Sequence, residues 1–397
     1  PENVDTFMSY AAEENLEATI IASATASQRL IMHWRGDKIV NLSRAFLDTN
    51  GVMQQREAYV TAPQGNSFFA PKGVKDVKQM FIDVMGTLNI ASEQGLAECF
   101  DSTVGARTVL MPFGGKYQKT PVEGMVARIP VDVGSTTETA SIFTHGYDPD
   151  LALWSPFHGA LYAVVQSVAK LVALGGDRKK AYLTFQEFFQ SLGTEVNAWG
   201  KPVAALLGAY TAQRELQIAA IGGKDSMSGT FENLTVPPTL VSFAVVTEKA
   251  KNVISPEFKA AGDAVILLDV PHDDDDVIDW VIFKDQCDFL HEQILSGKVK
   301  AARAVGQGGV AAALAQMAFG NGIGFMTAAD IAAADLFALR YGAFVVETDC
   351  ETAKTWTAHA YRTVVATTTT TDAAIVGNVH IALDELLQAW EKPLAKI

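Results

Sequence analysis

The stretch Ile221-Gly222-Gly223-Lys224-Asp225-Ser226-Met227-Ser228-Gly229 gathers phosphate and metal chemistry into nine residues. Two adjacent glycines let backbone N–H groups approach an anion without side-chain obstruction. Lys224 adds a point charge, Asp225 is a hard oxygen ligand of the kind magnesium takes, and Ser226 and Ser228 offer hydroxyls. The spacing is not that of a P-loop, which requires G-x-x-x-x-G-K-[ST]. The same residues equally suit a glycine turn between a helix and a strand, its polar side chains in water.

Other groupings carry weaker signals. His272-Asp273-Asp274-Asp275-Asp276 has cation-binding residue types, but acids ahead of a helix ordinarily serve its dipole and solvation. Cys287 and His291 stand four apart on an expected helix, the spacing of a Cys–His dyad, with nothing nearby to orient the imidazole. Asp101 and Arg107 flank a turn and suit either a charged substrate or an ion pair. In Arg303-Ala304-Val305-Gly306-Gln307-Gly308-Gly309 the last two glycines open a helix, where amide donors can hold an anion, although a tight turn is the plainer role. Thr367–Thr371 reads as an edge strand or a loop.

The elements that position these residues follow from periodicity. Helices are expected over 75–94, with Val77, Met80, Phe81, Val84 and Leu88 on one face, and over 156–174, closed by Gly175-Gly176. Further helices are expected over 202–219, starting on a proline, 277–295 and 308–318. Strands are expected over 108–111, 126–131, 139–144, 181–185, 239–246, 263–269 and 343–348. Helices and strands mix without regular β-α alternation, which predicts an α+β fold and not a doubly wound sheet.

A chain of 397 residues corresponds to two or three domains at roughly 100–200 residues each. Apolar residues are 49% and charged residues 19%, a globular composition that excludes a disordered or fibrous chain. With 31 Lys and Arg against 45 Asp and Glu, the formal charge of −14 argues against nucleic acid as a partner. Three separated cysteines, Cys99, Cys287 and Cys350, form no C-x-x-C and suit a reducing cytoplasm. No apolar run reaches the ~18 residues of a membrane span, and the opening Pro1-Glu2-Asn3-Val4-Asp5 is acidic, unlike a signal peptide.

The two ends of the chain repeat one another. Thr19–Ser23, Leu30–Met32, a Gly36 turn, Val40–Ser43 and Phe46-Leu47 match Thr363–Thr367, Ala374–Val376, a Gly377-Asn378 turn, Ile381–Asp384 and Leu386-Leu387. Each block reads as strand, strand, hairpin turn, strand and a helix capped by Ser43 or Asp384. The second block follows about 110 residues of its own domain and the first only a short helix over 4–15, so residues 1–60 read as the tail of a module cut from a longer polypeptide.

Several stretches carry a family resemblance. They are Ala219–Ser228, Val236-Pro237-Pro238-Thr239-Leu240-Val241-Ser242-Phe243-Ala244, Phe100-Asp101-Ser102-Thr103-Val104, Met111-Pro112-Phe113-Gly114-Gly115, Trp154-Ser155-Pro156-Phe157-His158-Gly159-Ala160 and Leu183-Thr184-Phe185-Gln186-Glu187. Together they resemble the second half of phosphoribosylformylglycinamidine synthase of the large, glutamine-dependent type, over nearly the whole chain and most strongly between 85 and 245. That family's core is a tandem duplication of the aminoimidazole ribonucleotide synthetase architecture. The resemblance therefore implies the tail of a first C-terminal-like module over 1–62, a second N-terminal-like module over 65–248, and a second C-terminal-like module over 249–397.

It also implies an activity. ATP activates the formyl-amide oxygen of formylglycinamide ribonucleotide, and ammonia from glutamine displaces the phosphoryl group, giving the amidine, ADP and phosphate. Gly222, Gly223, Lys224, Asp225, Ser226 and Ser228 would line an auxiliary ATP or ADP site, with Asp225 a magnesium ligand. Asp101 and Arg107 would be candidates for substrate contact. The partners implied are the first half of the synthase core and a glutaminase domain; no cysteine here sits in a G-x-C-x-G nucleophile turn.

The chain departs from the family pattern where metal ligands are expected. Gly124 stands where an acid belongs, Gln166 replaces a Glu, and Lys170 replaces an Asn. The 303–309 segment also lacks the His-Asp and Ser-Asp of related modules. These losses suit two other readings, a silent scaffold with a vestigial pocket or a free-standing ATP-dependent kinase or synthetase of the same superfamily. The isolated chain is expected to lack synthase activity.

Overall fold

The computed structural model describes residues 3–49, 55–71 and 73–396, and the chain divides into two compact units at Arg56/Glu57. The first unit contains α1 (Val4–Glu13), β1 (Arg29–Trp34), β2 (Asp37–Ser43) and α2 (Arg44–Leu47). β1 and β2 form an antiparallel hairpin whose turn residues, Arg35 and Gly36, both have positive φ, as a tight two-residue turn requires. Ser43 Oγ caps α2 by accepting from the Phe46 N–H at 3.2 Å, as the sequence pattern predicts. The strand expected over Thr19–Ser23 does not form.

The second unit begins with α3 (Val77–Met85) and α4 (Gln94–Glu98), which take the place of the single helix expected over 75–94. Asp76 caps α3 at its start and Gly86 stands at its C-cap. The strands β3 (Thr108–Leu110), β4 (Phe113–Gly114), β5 (Thr120–Pro121), β6 (Gly124–Arg128) and β7 (Thr139–Gly146) follow, then α5 (Pro149–Trp154) and α6 (Pro156–Ala173). Next come β8 (Tyr182–Phe188), α7 (Val196–Leu216), β9 (Ala220–Lys224), the short pair β10 (Thr230–Phe231) and β11 (Leu234–Thr235), and β12 (Thr239–Lys249). α7 starts ahead of Pro202, so the proline lies inside the helix and not at its first position.

A six-stranded sheet runs β3-β6-β7-β12-β8-β9, antiparallel except for the β8/β9 pair. Strand alternation sends Ala140, Ile142 and Thr144 of β7 and Leu240, Ser242 and Ala244 of β12 into a core with α6. α6 is fixed at its N-terminus by Ser155, whose Oγ accepts from the His158 N–H at 3.3 Å.

The remaining elements are β13 (Ala264–Leu268), α8 (Trp280–Leu295), β14 (Ala301–Ala304), α9 (Gly309–Phe319), β15 (Gly324–Thr327), α10 (Ala333–Phe337), β16 (Phe344–Thr348), α11 (Cys350–Trp356), β17 (Arg362–Thr369), β18 (Ala373–Val376), β19 (Val379–Ala382) and α12 (Leu383–Glu391). A seven-stranded sheet runs β14-β16-β13-β17-β15-β18-β19, with only β15/β18 parallel. Thr367–Thr369 therefore lie in a central strand, since β17 pairs on both sides, and not at the edge expected for them.

One core joins α6, α8 and the Ala264, Ile266 and Leu268 face of β13. A second core joins the Val265 and Leu267 face to α9, to Phe81 and Met85 of α3, and to Leu386 and Trp390 of α12. The β18–β19–α12 block repeats the order of β1–β2–α2, and here it is packed: Ile381 and Leu386 are fully buried. Asp384 does not cap α12; it lies in the first turn and accepts from Gln388 Nε2 at 2.6 Å.

Candidate functional site

The segment singled out for phosphate chemistry is a strand followed by a turn. β9 pairs in parallel with β8, placing Gly223 opposite Phe185 and Lys224 opposite Gln186. A Cβ on Gly223 would lie 2.4 Å from the Phe185 carbonyl oxygen, so the glycine is required by strand approach. Gly222, with φ of 149°, keeps open space above it, and its carbonyl accepts from Thr184 Oγ1 at 3.2 Å. Beyond β9 the chain stays alongside β8: Ser226 N–H donates to the Glu187 carbonyl at 3.1 Å, and Phe189 N–H to the Ser226 carbonyl at 2.9 Å.

Lys224 and Asp225 are exposed, and the Ser226 and Ser228 hydroxyls are 2.8 Å apart. Glu187, buried on the helix side of β8, has its carboxyl held above the usual range by burial and then by the charge of Asp225. The six residues thus form one exposed, hydroxyl-rich segment at the sheet edge, with a buried carboxyl beneath it.

The positions expected to hold metal lie elsewhere on the sheet. Gly124 sits on β6 opposite Thr144 of β7. Gln166 and Lys170 are one turn apart on α6, so they share a face. Gln166 is buried with its Nε2 lacking a partner. Lys170 is half-buried, and its ammonium interacts with Glu123, Arg303 and Glu93; burial lowers its pKa before these charges act. The Lys170 charge, with desolvation adding to it, pushes His145 down to about 4, so the imidazole is neutral at pH 7. Glu123 Oε1 stands 3.6 Å from Arg303 Nη2, while Glu123 Oε2 accepts from the Ala304 N–H at 3.0 Å.

Magnesium does not fit these residues. Among the described residues no group of three or more His, Cys, Asp or Glu side chains is placed to hold a metal ion. Besides the exposed Asp225, the expected ligand positions are a bare glycine, a neutral amide and an ammonium, which repels a cation.

Asp101 and Arg107 are each engaged locally. Asp101 accepts from Thr103 N–H and Oγ1, which holds its carboxyl below the usual range, while Arg107 donates to the Ile129 and Val131 carbonyls. Cys287 and His291 form no dyad: burial pushes the thiol far up, and His291 Nδ1 faces the Gly175 carbonyl at 3.2 Å. The acidic loop anchors α6, with the Asp275 and Asp276 carbonyls accepting from His158 Nε2 at 2.9 Å and Tyr162 Oη at 2.8 Å. Gly308 and Gly309 form the turn into α9. Glu123 and His145 carried no sequence signal; the Glu123–Arg303 pair, for one, joins residues distant in the chain.

No protein-family profile matches the chain. It is 22% identical over 345 residues to the phosphoribosylformylglycinamidine synthase subunit PurL of Thermoplasma acidophilum, covering 82% of this chain and 44% of that one. It is 24% identical over 352 residues to the PurL of Methanosarcina barkeri, covering 81% and 45%. The chain is a homologue of PurL. The structure of PurLQS from Thermotoga maritima superimposes with a TM-score of 0.59 at 14% identity, covering 81% of this chain and 53% of that one. Thermotoga maritima PurL complexed with FGAR gives 0.58 at 12%, covering 80% and 54%. The fold is therefore the α+β, aminoimidazole ribonucleotide synthetase-like fold of PurL, as the sequence resemblance implies. The chain spans less than half the length of the PurL relatives it matches. Among the described residues no helix is long and apolar enough to cross a membrane.

Proposed function

We propose that the chain is the second half of a synthase core that converts formylglycinamide ribonucleotide to the amidine with ATP and glutamine, in the cytoplasm. The observation that carries this reading is the similarity to PurL across four-fifths of the chain, joined to a PurL-like fold. The two sheets support modules over 65–248 and 249–397, with β12 ending at Lys249, and the repeated hairpin supports a C-terminal-like tail over 1–62. Gly222, Gly223, Lys224, Asp225, Ser226 and Ser228 are proposed to meet ATP or ADP, and Asp101 and Arg107 remain candidates for substrate contact.

The face of the six-stranded sheet away from α6 suits packing against the first half of the core. It carries stacked Phe143 and Phe243, 5.5 Å apart, and a half-exposed Met125. The loss of acids at positions 124 and 166, with an ammonium in place of an Asn at 170, favours a second role, in which this half is chiefly a scaffold.

Supplying formylglycinamide ribonucleotide, ATP and glutamine to the chain alone, then with the rest of the synthase, tests the reading. No amidine is expected from the chain alone and turnover from the complete assembly; turnover by the isolated chain would overturn it. Calorimetric titration with ADP separates the roles, since binding abolished by Asp225→Ala supports a retained site and no heat supports the scaffold.

A further inference from the structure

The repeated block occurs once packed, as β18–β19–α12, and once open, as β1–β2–α2. In each copy a two-residue turn closes an antiparallel hairpin, Trp34 opposite Asp37 in one and Val376 opposite Val379 in the other. The helix then starts at the residue after the second strand. Counted from that helix start, the cross-strand pairs Leu30–Leu42 and Met32–Val40 occupy the places of Ala374–Ile381 and Val376–Val379. Side chains paired in this way share one face of a hairpin. In the packed copy that face is core, with Ala374 and Ile381 at 0% exposure and Val376 at 9%. In the open copy Leu30 is 43% exposed, Met32 49% and Leu42 37%.

The packed copy records what covers the face and the edge. β15 pairs in parallel with the outer edge of β18, placing Phe325 opposite Ala374 and Met326 opposite Ile375. α9, the helix just ahead of β15, lies in the same core. Trp390 of α12 is tied to the chain after α3, its Nε1 donating to the Ile90 carbonyl at 2.6 Å. Among the described residues β1 pairs only with β2, so its outer edge keeps unpaired N–H and C=O groups beside an apolar face. An edge of that kind accepts a further strand.

We propose that β1 and the Leu30, Met32, Val40 and Leu42 face form a docking surface for a helix–strand segment of a partner polypeptide. The strand adds in parallel to β1 at Leu30 and Ile31, the counterparts of Ala374 and Ile375. Its helix, rich in small apolar residues as α9 is, covers the face. That the segment comes from the first half of the synthase core rests on the reading above.

Sedimentation of the full 397-residue chain with the rest of the synthase core tests the proposal. Leu30→Lys and Met32→Lys are compared with Ile31→Lys, which lies on the opposite face, where Ile375 and His380 of the packed copy keep some exposure. The two face variants are expected to weaken assembly at least about tenfold, and the control less than about threefold. Hydrogen exchange of the wild type needs no variant: the amides of 29–32 that face away from β2 should exchange at least about tenfold more slowly in the assembly than in the chain alone. Assembly that the face variants leave unchanged, or equal exchange in the two states, overturns the docking surface. Self-association of the chain alone, abolished by Met32→Lys, overturns the partner in favour of a second copy. Assembly without amidine formation refutes the synthase reading and leaves the docking surface standing, whereas failure of the wild type to assemble refutes both.

Discussion

Gly124 is where the structure predicts that a side chain cannot be restored. A Cβ built there falls 2.6 Å from Thr144 Cγ2, 2.7 Å from the Phe143 carbonyl oxygen and 3.0 Å from Leu174 Cδ1. None of the three is free to retreat. The Phe143 carbonyl belongs to the β6/β7 register opposite Met125, Thr144 Oγ1 donates to the Ser167 carbonyl at 2.7 Å, and Leu174 is buried. Forcing a methyl into a fitted interface costs about 1–3 kcal/mol. Gly124→Ala is expected to lose that much in urea denaturation, with an unchanged denaturant slope. Gly124→Asp is expected to lose more, because its carboxylate arrives beside Glu123 where the cations are already matched. Thr144→Ser removes the nearest methyl and keeps the hydroxyl, so in a double-mutant cycle it should recover part of the Gly124→Ala loss. An alanine variant within about 0.5 kcal/mol of the wild type, or a cycle with no coupling, refutes the steric reasoning.

Two further predictions concern the seven-stranded sheet. Burial pushes the Glu347 carboxyl up to about 7, although it accepts from the Lys259 N–H at 2.8 Å and the Ala260 N–H at 3.0 Å. The native state then holds this proton more tightly than the unfolded chain, so stability falls as pH rises from 4.5 to about 7 and levels off above. Glu347→Gln should flatten that decline in urea midpoints measured across the range; an unchanged decline would count against the assignment. In the repeated block, Leu386→Ala should cost about 2–5 kcal/mol, whereas Phe46→Ala, at an exposed position of the first copy, should cost under about 0.5 kcal/mol. Equal costs in thermal denaturation would contradict the difference in packing between the copies.

Much of the architecture was legible because local signals agree with tertiary packing. The 156–174 expectation coincides with α6 to one residue, since Ser155, Pro156 and the following glycine pair mark both ends. The 239–246 strand extends to Lys249 because β12 pairs with β7 beyond the apolar run. Elsewhere one signal misled. Pro202 reads as a first helical residue, but α7 holds it about two turns in. The glycines of β9 read as a turn, whereas one of them admits the Phe185 carbonyl of a neighbouring strand. The residues of the phosphate-like segment could be named from sequence because they are contiguous. The charges that act on Lys170 could not, because Glu93, Glu123 and Arg303 are far from it in the chain.

The core shared by α6 and β13 bears on how the second unit can admit a ligand. Leu161 and Val165 belong to the same buried cluster as Ile266, Leu268 and Phe344, so the layer beneath the first sheet also backs the second. The two sheets are welded, and they cannot part like jaws without exposing that layer to water. Heating should melt them in one cooperative transition, and small molecules must come and go through loops at the rim. The 222–229 segment lies at such a rim, beginning on an edge strand with Lys224 and Asp225 exposed.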